Sequence, residues 1–248
     1  NLETVTAHIQ TTSSWVLLYK HNNKNDYFVA RTSNQGSSYN IVSLGTVDSN
    51  LSKYSRLHTY NGDNIYLTRG NHSLKSSDAG INWSSQNLQT PLSHAYDIFY
   101  LNASKGFAAF QAPDANQQAI YKTTDGGSTW SLTNQSITTA HLLVAKTDQI
   151  VFSAQLGGTQ LWATNDAFDT KTTTSFGGTV IEDLQLLNGT VYFAGSNGLV
   201  GKLSSADLSD LATFEAISGV TLTAITTADG SILLGDSAGK LYLATSFG

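Results

Sequence analysis

The 248 residues carry 13 basic and 18 acidic side chains, a formal net charge of −5 with only 12% of residues charged. With no basic cluster, that balance excludes a nucleic-acid footprint. The absence of cysteine excludes a disulfide framework and any thiolate site, and no stretch approaches the roughly 18 apolar residues of a membrane-crossing helix. Twenty-one glycines against two prolines, Pro91 and Pro113, describe a turn-rich all-β chain. The lack of methionine points to a processed or excised piece, part of a larger surface protein. A Ser-, Thr-, Asn- and Gln-rich surface points to a secreted, extracellular or periplasmic setting of bacterial type.

In chain order, Asn1-Leu2-Glu3-Thr4-Val5-Thr6 alternates and has no unit of its own. The apolar run Trp15-Val16-Leu17-Leu18-Tyr19 leads to Thr32-Ser33-Asn34-Gln35-Gly36-Ser37-Ser38-Tyr39. The pattern then sharpens: Ile65-Tyr66-Leu67 leads to Ser76-Ser77-Asp78-Ala79-Gly80-Ile81-Asn82-Trp83. Phe107-Ala108-Ala109-Phe110 leads to Thr123-Thr124-Asp125-Gly126-Gly127-Ser128-Thr129-Trp130. Ile150-Val151-Phe152 leads to Ala163-Thr164-Asn165-Asp166, where Phe168 stands in the glycine's place. Val191-Tyr192-Phe193 and Ile232-Leu233-Leu234 lead only to the closing hydroxyls Ser204-Ser205 and Thr245-Ser246. Aligned on Asn34, Asp78, Asp125, Asp166, Ser205 and Ser246, the steps are 44, 47, 41, 39 and 41 residues. That period is one four-stranded propeller blade. Asn61-Gly62-Asp63, Lys146-Thr147-Asp148, Asn188-Gly189 and Asp229-Gly230 supply tight hairpins before the second strands.

The expected fold is therefore a single all-β domain, a six-bladed β-propeller of four-stranded antiparallel blades. Its blades span residues 7–46, 55–90, 94–134, 139–175, 180–217 and 220–248. Residues 1–6 would close the ring by completing the last blade, which otherwise lacks an outer strand.

The recurring box falls in the hairpin between third and fourth strands. A carboxylate there accepts backbone N–H bonds from its own turn, glycine permits positive φ, and the indole packs against the neighbouring blade. Ser76, Asp78, Gly80 and Trp83, with Thr123, Asp125, Gly127 and Trp130, are thus expected to be structural.

This box resembles the Asp-box, or BNR repeat, of sialidase-like propellers. It is also similar to the repeat of photosystem II stability and assembly factors, whose string Tyr-x-Thr-x-Asp-Gly-Gly-x-Thr-Trp is matched by residues 121–130. The resemblance implies the fold, and places the boxes on the side away from any active site. It does not extend to sialidase chemistry. That family uses three arginines from different blades, and Arg31, Arg56 and Arg69 are the only arginines here. Glu3, Glu182 and Glu215 are the only glutamates, so the family's Tyr–Glu nucleophile pair is unsupported too. The arginine-rich surface of the assembly factors is likewise missing.

A second pattern lies where each first strand is expected to start, opposite the boxes: His8, His58, Asp97, His141, Asp183 and Thr223. Three readings stand. These side chains hydrogen-bond backbone before the strand, they hold a zinc-like ion, or they line a ligand mouth whose charge changes near pH ~6.5. Loops between second and third strands, including residues 21–26 and 111–118, share that face and suit sugar hydroxyls or peptide backbone. Asp97 and Asp183 could flank a glycoside, a reaction that needs two carboxyls about 5–9.5 Å apart. The sequence favours a non-enzymatic binding module for a protein or glycan, without cofactor, metal or catalytic residue. The alternatives are a glycoside hydrolase and a periplasmic scaffold for a membrane complex.

Overall fold

The structure, a computed structural model, describes residues 2–9, 14–21, 26–46, 55–69, 72–86, 94–111, 118–133, 137, 140–228 and 231–244. It is a six-bladed β-propeller whose antiparallel sheets follow one another along the chain. Blade 1 holds β1 (Leu2–Ile9), β2 (Trp15–His21), β3 (Asp26–Thr32) and β4 (Asn40–Thr46). Blade 2 holds β5 (Ser55–Thr59), β6 (Ile65–Arg69), β7 (His72–Ser76) and β8 (Ser84–Ser85). Blade 3 holds β9 (His94–Tyr100), β10 (Gly106–Gln111), β11 (Gln118–Thr123) and β12 (Ser131–Leu132). Blade 4 holds β13 (Leu142–Ala145), β14 (Val151–Ala154), β15 (Gln160–Thr164) and β16 (Thr172–Ser175). Blade 5 holds β17 (Ile181–Leu187), β18 (Thr190–Gly195), β19 (Leu199–Leu203) and β20 (Ala212–Glu215). Blade 6 holds β21 (Leu222–Ala228), β22 (Ser231–Asp236) and β23 (Leu241–Ala244). One 3-10 turn, Ser196–Gly198, is the only helical element among the described residues.

The apolar runs form the second strands because those strands are covered on both faces. β14 is buried along its whole length, whereas β16 is largely exposed. Asn188 and Gly189, both at positive φ (50° and 77°), close a two-residue hairpin between Leu187 and Thr190. That is the geometry whose twist matches the flanking strands. The Asp229-Gly230 pair and Thr245-Ser246 lie outside the described residues.

The chain separates into two compact units: Asn1–Gln117 with Tyr121–Ser131, and Gln118–Ile120 with Leu132–Gly248. In the first, Val16, Leu18, Tyr27 and Val29 of blade 1 pack on Ile65, Leu67 and Leu74 of blade 2. Tyr66 of blade 2 packs with Ile98, Tyr100, Phe110 and Trp130 of blade 3. In the second, Ala194 and Val200 of blade 5 pack on Leu222, Ile225, Ile232 and Leu234 of blade 6. In each of these pairs, then, the core is made by adjacent sheets face to face.

One expectation is overturned. Residues 2–6 do not complete the sixth blade. They run along β2, with Leu2 opposite His21, Thr4 opposite Tyr19 and Thr6 opposite Leu18. The first blade therefore begins at Leu2 rather than at residue 7, and the sixth sheet has three strands among the described residues. A β-bulge between Thr4 and Thr6 keeps this longer strand in register. Pairing with the next strand closes a short loop, which costs less chain entropy than pairing across the whole sequence.

Candidate functional site

The boxes are self-contained turns. In blade 3, Thr123 Oγ1 donates to Asp125 Oδ1 (2.9 Å) and accepts from Gly127 N–H (2.9 Å). Asp125 then accepts Thr129 N–H at Oδ1 (2.8 Å) and Thr129 Oγ1 at Oδ2 (2.6 Å). Blade 2 repeats this with Ser76, Asp78, Gly80 and Asn82, and blade 1 with Thr32, Asn34, Gly36 and Ser38. Blade 4 repeats it with Thr164, Asp166, Phe168 and Thr170. The absence of glycine from blade 4 does not break the turn, because Ala167 and Phe168 adopt φ of 57° and 66° themselves.

Hydrogen bonds hold these carboxyls from the ordinary 3.8 down to about 2. The leading donors are the Asn82 backbone for Asp78, the Thr129 side chain for Asp125 and the Thr164 side chain for Asp166. Blade 5 has an acid the repeat reading did not assign. Ser205 Oγ donates to Asp207 Oδ1 (2.6 Å), so Ser205 is the hydroxyl of the box and Asp207 its acid.

The boxes of blades 2, 3 and 4 also lock their blades. Ala79, Gly126 and Ala167 donate their N–H groups to the carbonyls of Asp63, Ser104 and Gln149, in the hairpins between first and second strands (2.8–2.9 Å). Trp83 packs against the blade 1–blade 2 core, and Trp130 lies edge-on to Phe110 at 5.3 Å. Arg31 of blade 1 donates to the Ala79 carbonyl of the blade 2 box (2.8 Å). All of this uses the box residues for structure.

The six polar residues expected to share one repeat position occupy three. Strand pairing fixes their levels. Asp97 lies opposite Ala109 and Asp183 opposite Ala194, each just after an extra, bulged residue, Tyr96 and Glu182. In blade 6 the bulged residue is Thr223 itself, and Ala224 holds the level of the aspartates. In blade 4 Leu142 holds that level and His141 precedes it. In blade 2 the level belongs to Arg56, opposite Thr68, while His58 lies two residues nearer the hairpin. His8, opposite Val16, matches His58 in level, and its side chain lies outside the described residues.

In the first unit, Arg56 Nε sits 3.6 Å from the buried Asp97 Oδ2. His58 Nε2 donates to the Tyr100 carbonyl (2.9 Å) and its ring stacks on Phe99 at 3.9 Å. In the second unit, the buried Asp183 accepts the N–H of Leu184 (2.9 Å), the Gln185 amide (3.0 Å) and, from blade 6, the N–H of Ile225 (3.0 Å). His141 is buried at 6% exposure, whereas Thr223 is exposed and reaches the Gly235 carbonyl at 3.5 Å. Glu182, at the same bulge level, is half-buried, and burial raises its pKa. Sequence reasoning noted Glu182 but assigned its level to Asp183. Counting back from the Asn188-Gly189 hairpin would have separated them. Among the described residues no three His, Asp or Glu side chains gather into a metal-holding group.

The loops between second and third strands in the second unit are tied to the entries of first strands. Gly157 and Gly158 exchange backbone bonds with Ile181, Gly198 N–H reaches the Val220 carbonyl, and Ser237 N–H reaches that of Thr221. Asp236 caps its own loop through Ala238 and Lys240 N–H (both 2.8 Å). The result is a firm rim with Asn197, Ser237 and Lys240 exposed. Of the long loops in the first unit, residues 22–25 and 112–117 lie outside the described residues, as do 70–71.

No protein-family model matches the chain, and no curated protein matches it in sequence. Solved structures do match. YCF48 bound to a D1 peptide superposes with a TM-score of 0.68 at 13% identity, over 99% of this chain and 78% of that one. YCF48 from Cyanidioschyzon merolae gives 0.66 at 13%, over 98% and 85%. The GH74 xyloglucanase from Xanthomonas campestris gives 0.70 at 11%, over 97% of this chain and 44% of the enzyme. At these identities the likeness is one of fold.

Proposed function

We propose that this chain is a non-enzymatic binding module that holds a protein or glycan on the face opposite the boxes. In this reading the boxes are Asp-boxes, the setting is secreted or periplasmic, and the module belongs to a larger surface protein. One observation carries the reading: Asp97 and Asp183, the two carboxyls the sequence offered for glycoside chemistry, are committed to other contacts. Asp183 is filled by two backbone N–H groups and an amide, and Asp97 faces Arg56. Both carboxylates are thereby engaged in joining neighbouring sheets. What stays available is the rim of the second unit, where Glu182, Thr223, Asn197 and Lys240 offer donors and acceptors on well-tied backbone. Between the two ligand classes, support leans to a polypeptide, since one fold neighbour is bound to a D1 peptide.

Peptide and glycan arrays, followed by fluorescence polarisation on the strongest hit, test this. Thr223→Lys and Glu182→Gln are expected to weaken binding about tenfold, or about 1.4 kcal/mol. Asp125→Ala should lower Tm and leave affinity unchanged. Affinity lost in folded Asp125→Ala, or unmoved by both rim variants, overturns the reading.

A second reading has one specific support. Glu182 is a half-buried carboxyl whose raised pKa suits a general acid, and one neighbour is a xyloglucanase. Turnover of chromogenic glycosides that disappears in Glu182→Gln would establish it.

A further inference from the structure

At the end of the second unit opposite the boxes, the charged groups among the described residues are Glu182, Asp183, Glu215, Asp236 and Lys240, with His141 buried nearby in the chain's fourth blade. Most of them are accounted for. Asp183 is held by backbone and amide donors. Asp236 accepts from its own loop and from Tyr242 Oη (2.7 Å), and the Lys240 charge adds to the donors that lower its pKa. Glu215, opposite Leu199, is exposed to water. Glu182 differs. It is half-buried, and among the described residues nothing donates a hydrogen bond to its carboxylate or sets a charge against it. Taking a carboxylate partly out of water without a partner is unfavourable, and burial accordingly raises its pKa.

The backbone on both sides of Glu182 is fixed. Ile181 N–H donates to the Gly158 carbonyl (2.7 Å), and the Ile181 carbonyl accepts Gly157 N–H (2.8 Å). Val180 N–H donates to Ser196 Oγ (3.0 Å), and the Val180 carbonyl accepts Ser196 N–H (3.0 Å). After Glu182, Asp183 ties the strand to Ile225 N–H of blade 6 (3.0 Å). Blade 6 there presents Thr223 and Ala224, both exposed and neither charged. A carboxylate carried on backbone already held in place gives up little freedom when it binds.

We propose that Glu182 anchors a subsite for a cationic side chain, lysine or arginine, of a bound polypeptide. This rests on the reading of the chain as a binding module and names the chemistry of its partner. An ammonium or guanidinium group supplies the charge-assisted hydrogen bonds that no described residue gives this carboxylate. The surplus of acid at this end, with Glu182, Asp183, Glu215 and Asp236 against Lys240, attracts a basic segment and repels an acidic one.

The test uses the 248-residue protein and the peptides it captures from an array of random sequences. Each hit is resynthesised with its lysines replaced one at a time by acetyl-lysine and its arginines by citrulline, which keep length and remove charge. Affinities are read by fluorescence polarisation. In each hit one basic position is expected to dominate, its neutralisation weakening binding to the parent about tenfold and leaving binding to Glu182→Gln unchanged. Glu182→Asp should keep the discrimination, and so should Glu215→Gln, which removes a solvated charge from the same end. Hits without a basic residue overturn the proposal. So does a neutralisation penalty that survives in Glu182→Gln or disappears equally in Glu215→Gln. In those cases a polypeptide-binding module still stands. Glycan hits without peptide hits overturn the proposal and leave a binding module, whereas no hit on either kind of array overturns both.

Discussion

The acid of each box acts within its own turn, and that locality sets its pH behaviour. Asp78, Asp125 and Asp166 have carboxyl pKa values lowered from 3.8 to about 2 in the folded chain. Their contribution is fully present above the unfolded value and is lost as pH falls through the folded one. Replacing all three by Asn should therefore lower Tm at neutral pH, and the gap from the parent should close as pH drops from about 4 to about 2. Thermal melts across that range check it, and a gap that widens in acid contradicts it. These residues were legible because hydroxyl-x-Asp is a contiguous signal whose bonds stay within about five residues. Asp207 escaped because Ser205 was aligned as the acid rather than as the hydroxyl two residues before it. That the blade 4 turn survives with Phe168 in the glycine's place was not legible, for another reason. A buried aromatic residue at positive φ contradicts local preference, and its burial among neighbouring side chains compensates the strain only in three dimensions.

At the scale of strands, the second strands and their hairpins were readable because continuous apolar runs bounded by turn pairs have one interpretation. The first strands were not. A bulge adds one residue without a sequence mark, so a pattern aligned by eye on histidine brought together three structural levels. Arg56, which belongs at the level of Asp97, was passed over for His58. The aspartates at this level act as clamps between sheets. Asp183 in blade 5 binds the N–H of Ile225 in blade 6 as well as its own neighbour's. Asp183→Ala leaves two buried donors unsatisfied and is expected to cost about 3 kcal/mol, read as a lower urea midpoint at unchanged m-value. Asp183→Asn, which keeps an acceptor, should recover part of that loss. An Ala variant as stable as the parent removes the clamp from the account.

The described residues form six sheets, each written in one stretch of chain, with cores shared by blades 1 and 2, 2 and 3, and 5 and 6. The period of about 40 residues announced this much without coordinates. The place of residues 2–6 was misjudged because counting strands says how many are needed, and only pairing says where they go. This connectivity has a consequence for how the protein is made. Within each sheet the paired strands are consecutive in sequence, which favours rapid folding for an all-β chain. A lone sheet is marginal, but the core of Val16, Leu18, Ile65 and Leu67 is complete once the second sheet has emerged. During synthesis, protection should thus arrive in steps. Stalled nascent chains exposing residues 1–46 should be digested by a protease, and those exposing residues 1–86 should begin to resist it.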